Sequence, residues 1–226
     1  MLYKTGGVAL SYIKFKESSI IARIFTESFG MQSYIVNGIR SKNAKTKIAL
    51  FQPLTLLDLV VYHNKKKDIN RISEIKCSDN FHSIPFNIKK TAIALFLTEL
   101  LNQALIDQGE NEDLFKFIHE SIHFFDVLEK NFENFHLQFL MRLSRYLGIF
   151  PESGVSLLKE IGHVKIHDLQ FSSQLDFLLT SNFDQHIRLT GSIRNNLLKA
   201  IIDYYRFHYD SIKDFKSIPV LKEVLS

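Results

Sequence analysis

The sequence predicts an α+β protein in two parts, a small five-stranded β-barrel followed by an α-helical domain. Two observations carry this prediction. Through about residue 80, apolar residues recur with a period near two, as half-buried strands require because successive side chains point to opposite faces. After residue 85 the period changes to 3.6, the repeat of an amphipathic helix. At 226 residues the chain has room for one to two domains with a sizeable core.

Five alternating runs can be marked in the first part: Lys4 to Lys16, Ser19 to Glu27, Met31 to Asn37, Leu54 to His63 and Asp68 to Lys76. Glu17-Ser18 and Ser28-Phe29-Gly30 read as tight connections, and HNKKKD, His63 to Asp68, as a charged hairpin tip. Only the connection between the third and fourth runs is long. Five short antiparallel strands with one long excursion at that place fit a barrel of the OB type better than a sandwich. Such barrels commonly bind single-stranded nucleic acid on one face and its flanking loops.

Helices follow. Ile88 to Leu105 puts Ile93, Phe96, Leu97, Leu100, Leu101 and Ala104 on one stripe. Asn111 can cap a second helix, with Glu112 and Asp113 well placed near its positive end. A third runs from about Glu133 to Leu147 and stops at Gly148, two residues before Phe150-Pro151. Ser192 can cap a fourth that extends through His208, and Ser217 a short last one. The natural division is residues 1–80 and 81–226, with an irregular insert at about 152–191. Within that insert GHVKIHDLQF has room for short strands, but the pattern assigns nothing firmly.

Charge is unevenly placed. Met1 to Asn80 holds thirteen Lys and Arg against six Asp and Glu, whereas the remainder holds fifteen against eighteen. The first part is therefore at +7 and the rest at −3, which suggests a polyanionic partner. No acidic residue occurs between Gly30 and Leu57, a stretch that carries Arg40, Lys42, Lys45 and Lys47. Lys14, Lys16, Arg23, Lys65, Lys66 and Lys67 complete the candidate phosphate contacts. Along the first run Tyr12, Lys14 and Lys16 share one side, so Tyr12 is a candidate base-stacking platform, with Tyr34 a second. The alternative for Tyr12 is packing at the barrel rim, and the lysines would then only keep an edge soluble.

No run of 18 apolar residues occurs and the N-terminus lacks the regions of a signal peptide, so a cytoplasmic, membrane-free protein is expected. A single cysteine, Cys77, excludes an intrachain disulfide and any Cys-rich zinc site. Among catalytic motifs one spelling occurs. His119-Glu120-Ser121-Ile122-His123 matches H-E-x-x-H, which on a helix sets two imidazoles one turn apart to hold zinc beside a glutamate base. The stripe Leu114, Phe117, Ile118, Ile122 and Phe125 places both histidines at the border of a packed face instead, and no zincin-type signature supplies a third ligand. A metallopeptidase is thus an alternative, as is a general RNA-binding or scaffold OB protein; no cofactor and no metal are expected.

FTESFG at Phe25 to Gly30, GIRSK at Gly38 to Lys42 and ALFQPL at Ala49 to Leu54 occur in that order, followed by LTELL at Leu97, RYLGIFPE at Arg145 and FKSIPVL at Phe215. In this ordered set the chain resembles the bacterial RecO recombination mediators over nearly its whole length. The resemblance implies a nucleoid-associated, non-catalytic protein that binds single- and double-stranded DNA, anneals complementary strands and, with RecR, helps load RecA on DNA coated by single-strand-binding protein. Arg40, Ser41 and Lys42 would match the family's basic loop. Many members carry a four-cysteine zinc module after the segment matching Leu147 to Pro151; this chain has none, so another arrangement must hold Glu152 to Ser192 together. The resemblance also implies a pocket on the helical domain for the acidic, Phe-ending tail of single-strand-binding protein, for which Arg142 and Arg145 are the candidate cations.

Overall fold

The computed structural model describes residues 1–39, 48–162 and 169–226. Five strands appear in the first part: β1 (Leu2–Phe15), β2 (Ser19–Thr26), β3 (Gly30–Val36), β4 (Leu56–Tyr62) and β5 (Ile69–Cys77). They close into a barrel in the order β1-β2-β3-β5-β4, with β4 returning to β1. All neighbours are antiparallel except β3 and β5, which run parallel over a short register. This is the five-stranded OB-type barrel that the alternation predicts. Its interior is filled by Ala9, Ile20, Ala22, Ile24, Tyr34, Val36, Phe51, Leu57, Leu59 and Val61.

Seven α-helices lie among the described residues: α1 (Ile88–Ala104), α2 (Glu112–Val127), α3 (Phe135–Tyr146), α4 (Gly154–Glu160), α5 (Leu169–Thr180), α6 (Gly191–His208) and α7 (Ile218–Val224). The apolar stripes expected on α1 and α2 are buried throughout. Asn111 caps α2 by accepting from the Leu114 N–H at 3.0 Å. For α6 the cap is Thr190, whose hydroxyl accepts from Ile193, so the helix starts at Gly191, one residue ahead of Ser192.

Packing defines two compact units. One is Met1–His82 with Leu97–His123, and the other is Ser83–Phe96 with Phe124–Ser226. In the second unit Phe125 stacks on Phe135, while Tyr205 and Tyr209 donate to the Leu140 and Leu147 carbonyls. Lys90 is buried there, and its ammonium donates to Ser83 Oγ and to the Phe125 and Asp126 carbonyls at 2.6–2.9 Å.

The insert that the pattern left unassigned contains α4 and α5. Ser153 and Ser156 cap α4 reciprocally, and the Gly154 N–H donates to Asp176 Oδ1 on α5 at 2.6 Å. A side chain at position 154 would run into the Ser172 carbonyl, so glycine lets the two helices meet. Helix-on-helix contact stands where the resemblance left an arrangement without cysteines to be found.

Candidate nucleic-acid interface

The barrel's outer surface is built by cross-strand rows. Directly opposed residues in a sheet share a face. Since Ala22 points into the core, its partner Tyr12 does too, and Tyr12 is half-buried against the core cluster. Ile13 is 64% exposed instead. The cause is a register shift between Ala9 and Ser11, where one extra residue in β1 reverses the alternation downstream. Tyr12 therefore packs at the rim of the barrel, half-buried against its core.

Tyr34 is also corrected. It is fully buried among the interior residues of the barrel, and burial pushes its phenol well above the ordinary range. No base can stack on it.

Register carries the outward row Ser11, Arg23, Ser33 and Ile69 across β1, β2, β3 and β5. Beside this row lies a groove of about 1040 Å³, lined among others by Tyr3, Arg23, Phe29, His63, Lys65 and Lys67. Arg23, Lys65 and Lys67 thus come together on one groove, and no carboxylate among the described residues pairs with them. Asp68 and Glu110 contribute negative charge to the lining. Lys66 is exposed at the same hairpin tip.

The tip is fastened, not loose. Its Asn64 N–H donates to the buried Asn70 side chain at 2.9 Å, and Asn70 in turn donates to Gln32 on β3 at 3.3 Å. Asn64 then accepts from the backbone of Lys66 and of Lys67. The opposite wall is set by Gly30, whose φ of +65° and contact with the Gln108 and Gly109 carbonyls leave no room for a side chain. Met31 N–H donates to Gln108 at 2.9 Å, which holds the segment carrying Ile106, Gly109 and Glu110 against β3.

Lys14 lies opposite Ile20 and so belongs to the row of Tyr12 and Ala22, not to the outward row of Arg23, but at the end of β1 it is exposed. Lys16 follows in the β1–β2 turn, exposed, with its ammonium 5.4 Å from the Phe15 ring centroid. Arg40, Lys42, Lys45 and Lys47 lie outside the described residues. The structure brings out three further side chains in the groove that sequence reasoning missed: Tyr3, Phe29 and His63. Phe29 had a usable signal, since a large aromatic in a tight turn goes against turn chemistry.

In the second unit, Arg142 donates to Asn182 at 2.8 Å and lies over Phe183; Arg145 donates to the Leu179 carbonyl at 3.2 Å and lies 4.1 Å over Phe150. The H-E-x-x-H side chains are each engaged with a different neighbour. His123 Nδ1 is 2.5 Å from Asp79, Glu120 faces Lys116 at 4.0 Å and His119 tilts on Phe115. Among the described residues, no three potential metal ligands cluster.

A closed five-stranded barrel with an appended helical part places the chain among OB-fold proteins. Two family models match it, Recombination protein O N terminal over residues 1–81 and Recombination protein O C terminal over residues 85–154. DNA repair protein RecO of Flavobacterium psychrophilum is 34% identical over the full length of both chains. The DNA repair protein RecO of Bacteroides fragilis is 35% identical over 99% of each, and that of Phocaeicola vulgatus 33% over the full length. This chain belongs to the RecO family of DNA repair proteins. The peptidase alternative falls with that assignment. No helix among the described residues is long and apolar enough to cross a membrane.

Proposed function

We propose that this protein is a non-catalytic recombination mediator that binds single- and double-stranded DNA without sequence preference and anneals complementary strands. With RecR it would promote RecA loading on DNA coated by single-strand-binding protein. The carrying observation is the convergence of Arg23, Lys65 and Lys67 on one barrel groove, free of carboxylate partners among the described residues. Each such cation releases condensed counterions when it meets a phosphate, which gives affinity independent of base sequence. Two strands neutralised on one surface no longer repel strongly, so annealing and displacement of a competitor follow from differences in binding free energy, without bond chemistry.

Lys14, Lys16, Lys66 and the basic stretch Arg40, Lys42, Lys45 and Lys47 are proposed to extend the same track. Arg142 and Arg145 are proposed to receive the acidic tail of single-strand-binding protein. Their partners in the structure are neutral oxygens and rings, so both charges remain available to a carboxylate. Fluorescence annealing of complementary oligonucleotides, with and without a chelator and without nucleotide, tests the reading. Acceleration in both conditions is expected. Absence of acceleration, or its loss on chelation, would refute it.

A further inference from the structure

Resting on that reading, we propose that the groove discriminates unpaired from paired DNA by stacking one unpaired base on an aromatic platform formed by Tyr3, Phe29 and His63, while Arg23, Lys65 and Lys67 hold the flanking phosphates. Phe29 and His63 lie parallel, 3.9 Å apart between centroids, and Tyr3 meets Phe29 edge-on at 5.4 Å. All three rings line the groove that carries the cations. Stacking surface beside phosphate-binding cations is the arrangement that single strands need, because every base has a π face and no particular hydrogen-bond pattern is required.

The platform is built rigidly. Phe29 packs against the barrel core, and its turn is held by Ser28 N–H donating to Thr5 at 3.1 Å, Glu27 N–H to Gly6 at 3.1 Å and Gln32 to the Phe29 carbonyl at 2.9 Å. His63 closes the other side, its own N–H donating to the Met1 carbonyl at 3.3 Å. The imidazole Nδ1 is shielded from solvent and has no hydrogen-bond partner among the described residues. Burial, then the Lys65 charge, pull its pKa below the ordinary value, which disfavours a further cation at this ring.

Duplex DNA has its bases stacked internally, and presenting one costs a few kcal/mol of unstacking. A single strand presents it at little cost. Cations alone would favour neither form in this way, so the rings supply the preference and the charges supply the grip.

The test uses the full chain with Tyr3→Leu and His63→Leu combined, against His63→Phe as the conservative control. Binding of an oligothymidylate and of a blunt duplex of equal length is measured by fluorescence anisotropy. Loss of stacking predicts about 5- to 100-fold weaker single-strand binding, with duplex binding and both salt slopes unchanged; His63→Phe should retain the single-strand affinity. Unchanged single-strand affinity, or an equal loss on both forms, overturns the platform. Failure of the underlying DNA-binding reading is seen separately, as intact binding when Arg23, Lys65 and Lys67 are replaced.

Discussion

His136 gives the second unit a stability that depends on pH in a defined direction. The side chain is fully buried on α3, edge-on to Phe96 at 6.0 Å, and neither ring nitrogen has a hydrogen-bond partner among the described residues. Burial, followed by the charge of the buried Arg194, brings its pKa down to about 3. In the unfolded chain the imidazole titrates near its ordinary value of about 6.5. Below that pH the unfolded state binds a proton that the folded state refuses. Stability is therefore complete above about pH 6.5 and is lost as pH falls toward 3, at about 1.4 kcal/mol per pH unit. Between pH 6.5 and 5, where ordinary carboxylates remain ionised, the loss is about 2 kcal/mol, a sizeable part of a typical stability of about 5–15 kcal/mol. The perturbation is His136→Leu, which removes the proton site without creating an unpaired polar atom. Urea denaturation of both proteins from pH 5 to 7 reads the difference, since every other titratable group is common to both. Identical pH slopes for wild type and variant would refute the reasoning.

Three other outcomes follow from packing. Gly30→Ala forces a side chain onto the Gln108 and Gly109 carbonyls at positive φ and should cost about 2–4 kcal/mol in denaturant midpoint analysis; a neutral result would contradict the close approach. Lys90→Met removes the ammonium that donates to the Phe125 carbonyl and leaves the Asp126 carbonyl to the Ser83 hydroxyl, and should lower stability by about 2–4 kcal/mol, measured by thermal unfolding. Asn70→Ala cuts the tie from β5 to the hairpin tip, so the Asn64 amide should lose hydrogen-exchange protection and DNA affinity should fall a few-fold while the barrel remains folded.

Most of the architecture was legible because a strand buried on one face must alternate. Ile20, Ala22 and Ile24 declare β2 without help, and Leu97, Leu100 and Leu101 declare α1 as clearly. The bulge in β1 was not legible, because one inserted residue leaves composition unchanged while exchanging the faces of Tyr12 and Ile13. Tyr34 misled for a related reason, since a tyrosine suits either side of a sheet and only the register with Ala22 decides. Helices α4 and α5 escaped because α4 has only seven residues and the meeting of the two depends on Gly154, a contact between residues about twenty apart in the chain. At the groove, charge runs pointed to Arg23, Lys65 and Lys67. The rings of Tyr3, Phe29 and His63 come from three separate segments and are joined only by the closure of the barrel.

The most direct test of a polyanion-binding groove is the salt dependence of oligonucleotide affinity in wild type and in the Arg23→Ala, Lys65→Ala, Lys67→Ala protein. If these three cations each meet a phosphate, the slope of log affinity against log salt should become shallower by about 2, at roughly 0.7 per lost single-strand contact. A folded variant with wild-type affinity and an unaltered slope would place the phosphates elsewhere on the molecule.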